Sequence, residues 1–334
     1  MRGGAEMHME NLVTALRRAH HEAEVVRLPV AWDKGRLFDA ALAWRLVPLD
    51  ADLIICTNFP SYFATHPHKV VWLFHQHRAL YDAADSSWSD IGLDDESLEA
   101  EQLMSDWDSR ALEEAERLFT TSRLVSDRLL SFNGLASTPL YHPPPLADRL
   151  HGGTFGDYVF APMRLERNKR PQVLVEALAR CPGRVRAVLT GPGSLEAPIQ
   201  AAATRLRLGN RLEITGFLDD AQLIERFAGA LAVVYMPREE DYGYVTLQAF
   251  LAGKPVITAR DSGGVLEWVE DGVTGLVTDG TPEQVANAVA RLDADRDLAR
   301  RLGEMGKRRV AGLGWDDVVD TLLGASGTAG RLAG

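Results

Sequence analysis

The sequence predicts an α/β protein with two doubly wound parallel sheets, each in its own domain. Along 334 residues, short β-rich apolar runs alternate with segments of helical periodicity, which is typical of parallel sheets with crossover helices. The alternation occurs twice, and His142-Pro143-Pro144-Pro145 separates the two series, because proline stops both helices and central strands. We therefore predict an N-terminal domain at 1–145, a C-terminal domain at 146–310, and a closing helix with a frayed tail at 311–334.

Candidates for buried strands in the first half are short runs rich in apolar residues. They lie at 24–28, 52–56, 70–74, 118–121 and 139–142. Segments with helical spacing of apolar residues separate them, at 6–18, 37–46, 97–117 and 122–132. Helices between successive strands indicate parallel pairing, because parallel neighbours require a long crossover.

The second half repeats this pattern with more strands. Predicted strands lie at 158–161, 185–190, 212–215, 232–235, 256–259 and 275–278. Predicted helices lie at 171–180, 199–206, 221–228, 245–252, 265–269, 283–292, 298–310 and 315–323. Doubly wound sheets bind ligands beyond the carboxyl ends of their strands, so the functional residues are expected in the loops after those strands.

The first domain is expected to lack its first strand. Gly3-Gly4 opens a helix as a phosphate-facing loop after a first strand does, but no strand precedes it in the sequence. That strand is usually central, so the chain is expected to be short by roughly a dozen residues, one strand and its turn. A misassigned start or a real truncation would explain this beginning.

Composition excludes several classes of protein. The formal charge of −11 argues against a generally basic nucleic-acid binder. No run of about 18 apolar residues predicts a transmembrane helix, and no secretory signal is expected at the N-terminus. Cys56 and Cys181 lie far apart in apolar segments, which is typical of reduced core cysteines. The expected location is the cytoplasm, with at most peripheral contact with the inner membrane face.

The most informative segment runs from Arg238 to Pro255. It follows a predicted buried strand, turns through Gly243 and starts a helix near Val245. The N-terminus of a helix offers free N–H groups and a positive dipole end, which suit a diphosphate. Glu240 lies in the preceding loop, where a carboxylate can accept hydrogen bonds from two sugar hydroxyls. The simpler interpretation is an acidic surface loop followed by a core helix.

This segment resembles the E-x7-E signature of the retaining family 4 glycosyltransferases, which have the GT-B fold. The order and spacing of further matching pieces extend the resemblance over nearly the whole chain. These pieces are Gly3-Gly4-Ala5-Glu6, Arg164-Leu165-Glu166-Arg167-Asn168-Lys169, Gly191-Pro192-Gly193, Thr215-Gly216-Phe217, Asp261-Ser262-Gly263-Gly264 and Asp271-Gly272-Val273-Thr274-Gly275-Leu276. The resemblance implies two Rossmann-like domains that face each other across a cleft.

The resemblance also implies roles for individual residues. Arg164 and Lys169 would hold the donor diphosphate, and Glu240 would position the donor sugar. A cationic pair of this kind stabilises the charge that develops on a departing diphosphate, whereas the alternative is a pair of solvated surface charges. The backbone positions implied to contact the donor are Gly4, Gly216, Gly243, Tyr244, Val245 and Thr246.

Gln248 departs from the family pattern. The family usually has glutamate here, which binds the ribose hydroxyls of the nucleotide. Glutamine keeps one acceptor oxygen but loses the charge and the second acceptor. We therefore expect weaker or altered nucleotide binding at Gln248, and no loss of the chemistry.

His75 is the candidate site residue of the first domain. The strand at 70–74 delivers it to the rim of the expected cleft, where the family often has a histidine near the donor sugar. Its expected role is orientation and hydrogen bonding, and His77 is the second choice. His66 and His68 extend the cluster, but zinc is disfavoured because no cysteine or carboxylate stands at a standard ligand spacing.

Other motifs carry less weight. The D-x-D pairs Asp50/Asp52 and Asp293/Asp295 are predicted to be solvated, so no metal ion is required. The acidic run at 82–108 is predicted to be a charged solvent face with Trp88 and Trp107 as buried anchors; an acceptor-specific lid is the alternative. A single Gly-Pro-Gly gives little support for a dinucleotide site.

Taken together, the sequence predicts a metal-independent retaining glycosyltransferase of hexosyltransferase type, acting in cell-envelope or polysaccharide biosynthesis. The donor substrate would be a nucleoside diphosphate sugar, with no separate cofactor. The acceptor would be a hydroxyl of a glycan, a lipid-linked sugar or a small molecule, and no nucleic acid is involved. Two alternatives remain: a silent sugar-nucleotide-binding protein, or an epimerase or phosphorylase on the same fold.

Overall fold

The chain divides into two compact units. The computed structural model describes residues 4–29, 37–75 and 95–324. The described residues up to His142, together with those after Leu313, form the first unit, and Pro143–Leu313 forms the second. The observed division therefore falls at the start of the proline run, and the closing helix is part of the first unit.

The first unit contains a parallel sheet. Its described strands are β1 (Ile54–Asn58), β2 (Lys69–His75), β3 (Arg117–Thr120) and β4 (Thr138–Pro139), and they pair in the order β1-β2-β3-β4. Val71 of β2 lies opposite Cys56 of β1 and Leu118 of β3, so β2 is bonded on both sides. Its residues from Val70 to Leu73 are fully buried, as expected of a parallel strand with both faces covered.

Helices cover both faces of this sheet. They are α1 (Gly4–Arg18), α2 (Leu37–Leu46), α3 (Asp95–Glu113), α4 (Arg123–Asn133) and the closing helix of the chain (Trp315–Leu323). One core includes Phe59, Tyr62, Leu73, Met104 and Leu129. The other includes Leu12, Val70, Trp72, Phe119 and Val319, so α1 and the closing helix contribute to the same core.

The strand predicted at 24–28 is wrong. These residues form no strand, and Val26 is 40% exposed. The segment is a short run rich in apolar residues, but a strand also needs a bonded neighbour, and no described strand lies beside it. Leu28 instead packs against the first of the two cores as part of an irregular connection.

The second unit contains a six-stranded parallel sheet. Its strands are β5 (Tyr158–Pro162), β6 (Arg186–Thr190), β7 (Leu212–Ile214), β8 (Ala232–Val234), β9 (Val256–Ala259) and β10 (Gly275–Thr278). They pair in the order β10-β9-β8-β5-β6-β7, the doubly wound arrangement with the first strand in the middle. The direction of winding reverses between β5 and β8, and we call this place the switch point.

The helices of this unit follow their strands closely. They are α5 (Pro171–Leu178), α6 (Glu196–Arg205), α7 (Asp220–Gly229), α8 (Tyr244–Leu251), α9 (Pro282–Ala294) and α10 (Arg296–Val310); the closing helix of the first unit is then α11. Asp219 and Gln222 form a reciprocal capping box at the start of α7. The predicted helix at 265–269 is wrong, since Gly264–Glu267 is a single 3-10 turn.

Two predictions about the core and the helices can be compared with the structure. Both Cys56 and Cys181 are free and buried, which confirms their assignment as core cysteines. Burial raises the pKa of the Cys56 thiol to about 12 and that of Cys181 to about 11, so both are inert. Among the described residues, no helix is both long and apolar enough to cross a membrane.

Candidate functional site

The candidate site lies at the carboxyl ends of β5 and β8, on either side of the switch point. The loop after β5 ends in a 3-10 turn, Arg167–Lys169, and the loop after β8 leads to Gly243 at the start of α8. The N–H of Arg238 donates to the carbonyl of Asn168 at 2.8 Å, which joins the two loops directly. A switch point is where doubly wound sheets bind their ligands.

An ion pair between Lys169 and Glu240 occupies the centre of this arrangement. Lys169 Nζ donates to Glu240 Oε2, with the two side chains 11% and 22% exposed. The sequence placed these residues seventy positions apart in separate motifs, and the fold brings them into contact. Because Lys169 is buried and paired, its alternative interpretation as a solvated surface charge is wrong.

Tyr235 completes the pair as a third member that the sequence did not suggest. Lys169 Nζ lies 3.4 Å from its hydroxyl oxygen. Burial raises the pKa of Tyr235 well above its ordinary value, and the charge of Glu240 and its hydrogen bond to the phenol add to that rise. The hydroxyl therefore stays protonated and donates to the carboxylate while it accepts from the ammonium group.

Arg164 stands apart from this pair. It lies in the same loop after β5, but its side chain is exposed. An exposed guanidinium can bind a phosphate as a bidentate fork. Arg164 and Lys169 are thus two cations of different character on one loop, one open to solvent and one held by Glu240.

The N-terminus of α8 supplies further polar groups to the candidate site. Gly243 precedes the helix with φ +82°, and a Cβ there would lie 2.8 Å from Val265 Cγ2, so only glycine fits. The first turn of an α-helix directs its N–H groups toward the helix N-terminus, and α8 begins at Tyr244. Within this turn the N–H of Thr246 donates to the carbonyl of Gly243 at 2.9 Å. Thr246 is fully buried in this turn, and its Oγ1 has no hydrogen-bond partner among the described residues. This arrangement suits an anion.

The loop after β9 fixes the backbone of Glu240. Glu240 pairs with Gly263 in a parallel bridge, and the N–H of Gly264 donates to the carbonyl of Glu240 at 2.7 Å. A Cβ on Gly263 would lie 2.7 Å from both the nitrogen and the oxygen of Glu240. The two glycines therefore allow this close approach, which explains their place in the motif.

Gln248 has a structural partner. It is 8% exposed on α8, and its Nε2 donates to the carbonyl of Pro145 at 3.1 Å. A glutamate at this position has no proton to donate at neutral pH, so it would lose this bond and face a carbonyl oxygen instead. The structure thus gives a physical reason for glutamine here.

Arg170 and Asp261 form a second ion pair, in which the arginine is buried and the aspartate is partly exposed. Arg170 Nη2 lies 2.7 Å from Asp261 Oδ1, and Arg170 Nε donates to the carbonyl of Met236 at 2.6 Å. Arg170 was not among the residues predicted from the sequence, because nothing local distinguishes it from the nearby Arg167. The one feature that could have identified it is its position between the motif residue Lys169 and Pro171, where a helix begins.

The other glycine motifs pack the loops of this edge together. A Cβ on Gly191 would lie 2.2 Å from the carbonyl oxygen of Met163, and one on Gly193 would lie 2.3 Å from that of Leu165. The loop after β6 therefore rests directly on the loop that carries Arg164 and Lys169. Gly216 has φ +67° in the loop after β7, and its carbonyl accepts from the hydroxyl of Thr190 at 2.7 Å.

The predicted site residues of the first domain lie in the first unit. Gly4 begins α1, and the half-buried His75 ends β2, with its ring 5.7 Å from that of Phe74. His77 lies outside the described residues. Gly4 and His75 therefore remain predictions as site residues.

The histidine cluster has ordinary contacts where it can be described. His66 Nε2 is 2.8 Å from the carbonyl of Ala51, and His68 Nδ1 is 3.0 Å from Glu116 Oε1. In residues 4–29, 37–75 and 95–324, no group of three or more histidine, cysteine or carboxylate side chains could hold a metal ion. The described part of the chain thus offers no support for the zinc alternative.

The D-x-D predictions are half correct. Asp50 and Asp52 are exposed, as predicted. The prediction for Asp293 is wrong, because its side chain is 1% exposed between Arg184 at 2.6 Å and Arg296 at 2.8 Å. A buried carboxylate needs opposite charge nearby, and two arginines supply it here. Asp295 is exposed and caps α10 through the N–H of Leu298.

The acidic run at 82–108 is described only from Asp95 onward. Trp107 is half-buried against Phe38, with a ring separation of 5.3 Å, so it anchors α3 to the core. Asp108 is fully buried, which contradicts a wholly solvated face at this end. Trp88 and the rest of the run lie outside the described residues.

Comparison with known proteins identifies relatives of the second unit. Residues 156–309 match the family model described as glycosyl transferases group 1. The D-inositol 3-phosphate glycosyltransferase of Thermobifida fusca is 31% identical over 175 residues, covering 48% of this chain and 40% of the relative. The enzyme of the same name from Nocardia farcinica is 33% identical over 171 residues, covering 48% and 38%. The chain thus spans about two fifths of the length of these relatives.

Solved structures resemble the whole chain. Sucrose-phosphate synthase from Thermosynechococcus elongatus aligns with a TM-score of 0.75 at 20% identity, covering 97% of this chain and 94% of that one. Anabaena HepE in complex with UDP and glucose aligns with a TM-score of 0.68 at 18% identity, covering 96% of both chains. At these identities the likeness shows the fold, and it confirms the predicted GT-B arrangement of two parallel-sheet domains.

Proposed function

We propose that this chain, whose residues 156–309 match the model of the group 1 glycosyltransferases, transfers a sugar from a nucleoside diphosphate sugar to a hydroxyl acceptor. The observation that carries the proposal is the buried Lys169–Glu240 pair at the switch point of a doubly wound sheet. The pair combines a cation for the leaving group with a carboxylate for the sugar hydroxyls.

The donor diphosphate would bind between the loop after β5 and the first turn of α8. Arg164 and Lys169 supply positive charge, and the positive end of the α8 dipole adds to it. The buried hydroxyl of Thr246 supports this placement, because a buried polar atom normally has a partner. UDP is the first nucleotide to test, since HepE has been crystallised with UDP-glucose.

In the proposed reaction the acceptor oxygen attacks the anomeric carbon on the face from which the diphosphate departs. The bond from that carbon to the phosphate oxygen breaks, and the acceptor proton passes to the same departing oxygen. Lys169 and Arg164 stabilise the charge left on the diphosphate, and Glu240 orients the sugar. Stereochemistry is retained, and no metal ion takes part.

The acceptor side of the proposal rests on the first unit and on the relatives. Gly4 and His75 would contact the donor from this unit, as the family resemblance implies. A polyol phosphate is the first acceptor class to test, because the matched relatives are named for D-inositol 3-phosphate. A lipid-linked acceptor, met at the inner membrane face, is the second class.

The proposal is tested by donor binding followed by transfer. Nucleotide sugars that differ in base and sugar are screened by the rise in melting temperature of the protein. The donors that bind are then incubated with inositol phosphates, glycans and a lipid-linked sugar, with and without EDTA. We expect a glycoside product whose yield EDTA does not reduce; donor binding with no product from any acceptor would contradict the proposal.

Three outcomes of that assay would favour other functions. Donor binding without transfer favours a silent sugar-nucleotide-binding protein, the alternative that Gln248 motivates. Turnover without an acceptor favours an epimerase, and turnover that requires inorganic phosphate favours a phosphorylase. All three use the same phosphate-binding loops, so binding alone cannot distinguish them.

A further inference from the structure

Arg170 adopts a backbone conformation that is uncommon for its side chain. It follows Lys169 with φ +53° and ψ +44°, in the left-handed region, and Pro171 then begins α5. Residues other than glycine rarely occupy this region unless surrounding contacts hold them there. The contacts of the guanidinium therefore indicate what this conformation serves.

The guanidinium binds two other loops at once. It donates from Nε to the carbonyl of Met236 at 2.6 Å and from Nη2 to the carbonyl of Pro237 at 3.1 Å. It also forms a bidentate pair with Asp261, Nη1 to Oδ2 at 3.0 Å and Nη2 to Oδ1 at 2.7 Å. Its side chain is only 8% exposed. The planar fork of arginine makes this set of bonds, which the single ammonium group of lysine cannot.

These contacts converge on the backbone that carries Glu240. Met236 and Pro237 begin the loop that leads to Glu240. Asp261 holds the same loop from the other side, because its carbonyl accepts from the N–H of Glu239 at 3.0 Å. Glu239 is itself left-handed, with φ +49°, so this stretch depends on outside contacts for its shape. Arg170, which directly follows Lys169 in the chain, thus contacts both of the loops that support Glu240.

We propose that Arg170 is a positioning residue that sets the geometry of the Lys169–Glu240 pair. This inference deepens the proposed function and rests on it. Arg170 contacts the backbone behind the pair and acts through it. Its role differs from that of a general structural arginine, because its bonds connect the loops after β5, β8 and β9. These loops carry or support Lys169 and Glu240.

Removal of the guanidinium is expected to reduce turnover more than donor binding. Small misplacement of catalytic groups can cost about 100-fold in rate, so we expect Arg170→Ala to lower kcat by about that factor. The fold-change in KM for the donor should be about one tenth of the fold-change in kcat, since the helix N-terminus and Arg164 are retained. Millimolar guanidinium chloride should restore part of kcat by filling the space left by the side chain.

The chain offers a matched control in Arg211. Like Arg170, it donates to backbone carbonyls of the second unit, including those of Val185 at 3.1 Å and Leu178 at 2.7 Å. These contacts lie at the amino ends of the strands, opposite the candidate site. Arg211→Ala should therefore lower the melting temperature without lowering kcat, and guanidinium should not raise its activity.

A second readout does not require transfer activity. Acylation of Lys169 by acetic anhydride, followed by mass spectrometry, reports how firmly the ammonium group is held. Arg170→Ala should raise the acylation rate of Lys169 toward that of Glu240→Gln, while Arg211→Ala should match the wild type. If the wild type transfers no sugar, the proposed function fails, but this experiment still tests the positioning role.

The proposal is overturned if Arg170→Ala keeps both wild-type kcat and the wild-type acylation rate of Lys169. If Arg170→Ala does not fold, Asp261→Asn replaces it, because it keeps the shape of the partner and removes its charge. Asp261→Asn should then raise the Lys169 acylation rate, and an unchanged rate would equally overturn the proposal.

Discussion

Lys169 carries a positive charge into a nearly buried position, and Glu240 is its direct partner. Lys169→Ala removes the cation that would stabilise the departing diphosphate and leaves Glu240 unpaired. We expect turnover to fall by about 100-fold or more, by analogy with the loss of one preorganised donor. Steady-state kinetics with the donor identified by the binding screen checks this.

The control for that variant is another buried lysine. Lys254 is fully buried and donates to the carbonyl of Thr154 at 2.8 Å, with its ammonium 3.9 Å from the centre of the Phe155 ring. Lys254→Met should keep turnover while changing stability. Near-normal turnover in Lys169→Ala would contradict its proposed role.

Gln248 permits a prediction that separates stability from binding. Gln248→Glu loses the hydrogen bond to Pro145 and places a carboxylate against its carbonyl oxygen. We expect the free energy of unfolding of the free protein to fall by about 1–3 kcal/mol at pH 7, the usual cost of an unsatisfied buried group. Urea denaturation measures this.

Gln222→Glu is the matched control. Its side-chain oxygen accepts from the N–H of Asp219 at 3.1 Å, and a carboxylate can accept the same bond. Its stability should therefore stay close to that of the wild type. A Gln248→Glu variant as stable as the wild type would contradict the structural role. Its donor affinity, measured on folded protein, should exceed that of the wild type if this position meets the ribose.

At the scale of elements, the loop after β9 supports the loop after β8 through glycine contacts. Gly263→Ala would place a Cβ 2.7 Å from the backbone of Glu240. We expect the displaced carboxylate to lower turnover by about tenfold or more, since small errors in position have large effects on rate. Kinetics and thermal denaturation of the same preparation check this.

Gly272→Ala isolates the effect of backbone strain. Gly263 has φ +62° and Gly272 has φ +72°, but a Cβ on Gly272 would meet nothing within 4 Å. This variant should lose about 1 kcal/mol of stability and keep its turnover. Equal turnover in Gly263→Ala and Gly272→Ala would show that the contact with Glu240 does not matter.

Local patterns predicted most elements of the second unit, because each strand there is a continuous apolar run beside a helix. The failures come from interactions between distant residues. The segment 24–28 has a strand pattern without a bonded neighbour, and Asp293 has a surface pattern but is buried against two arginine side chains. The local sequence indicates neither the missing strand neighbour nor the burial of Asp293.

The candidate site shows the same division. Lys169, Glu240 and Gly243 lie in motifs that could be read from the sequence. Tyr235 and Arg170 could not be, because their importance comes only from contacts across loops that the fold assembles. Motif spacing identifies the residues that face a ligand more readily than those that support them from behind.

At the scale of the whole molecule, the first unit contains a buried histidine pair, one member of which is the last residue before the chain enters the second unit. His8 and His142 are fully buried, with His8 Nδ1 3.1 Å from His142 Nε2. His142 is that last residue, and Trp315, 5.6 Å from its ring, lies just after the chain returns to the first unit. The two imidazoles share one hydrogen bond that requires at least one of them to be neutral.

Because of this pair, we expect the free energy of unfolding to fall in acid. Burial lowers the pKa of His8 to about 3, and burial followed by the charge of His8 lowers the pKa of His142 well below its usual 6.5. Both folded pKa values are below those of the unfolded chain, so the stabilisation is complete above pH 6.5 and falls as the pH drops below it. Each histidine contributes a slope of about 1.4 kcal/mol per pH unit in that range.

His8→Asn should reduce the slope of unfolding free energy against pH by about one proton between roughly pH 6 and 4. His151→Asn, at a histidine whose side chain is 54% exposed, should leave the slope unchanged. Denaturation at a series of pH values measures both. Identical slopes in His8→Asn and the wild type would contradict the role of the pair.

The central claim is that the Lys169–Glu240 pair supports sugar transfer with retention. Proton NMR of the reaction in EDTA tests it directly, with UDP-glucose as donor and the acceptor found in the screen, because the anomeric coupling of the product reports its stereochemistry. We expect an α-glycoside with the wild type and a rate at least about 100-fold lower with Lys169→Ala. A β-glycoside, or equal rates for the two proteins, would contradict it.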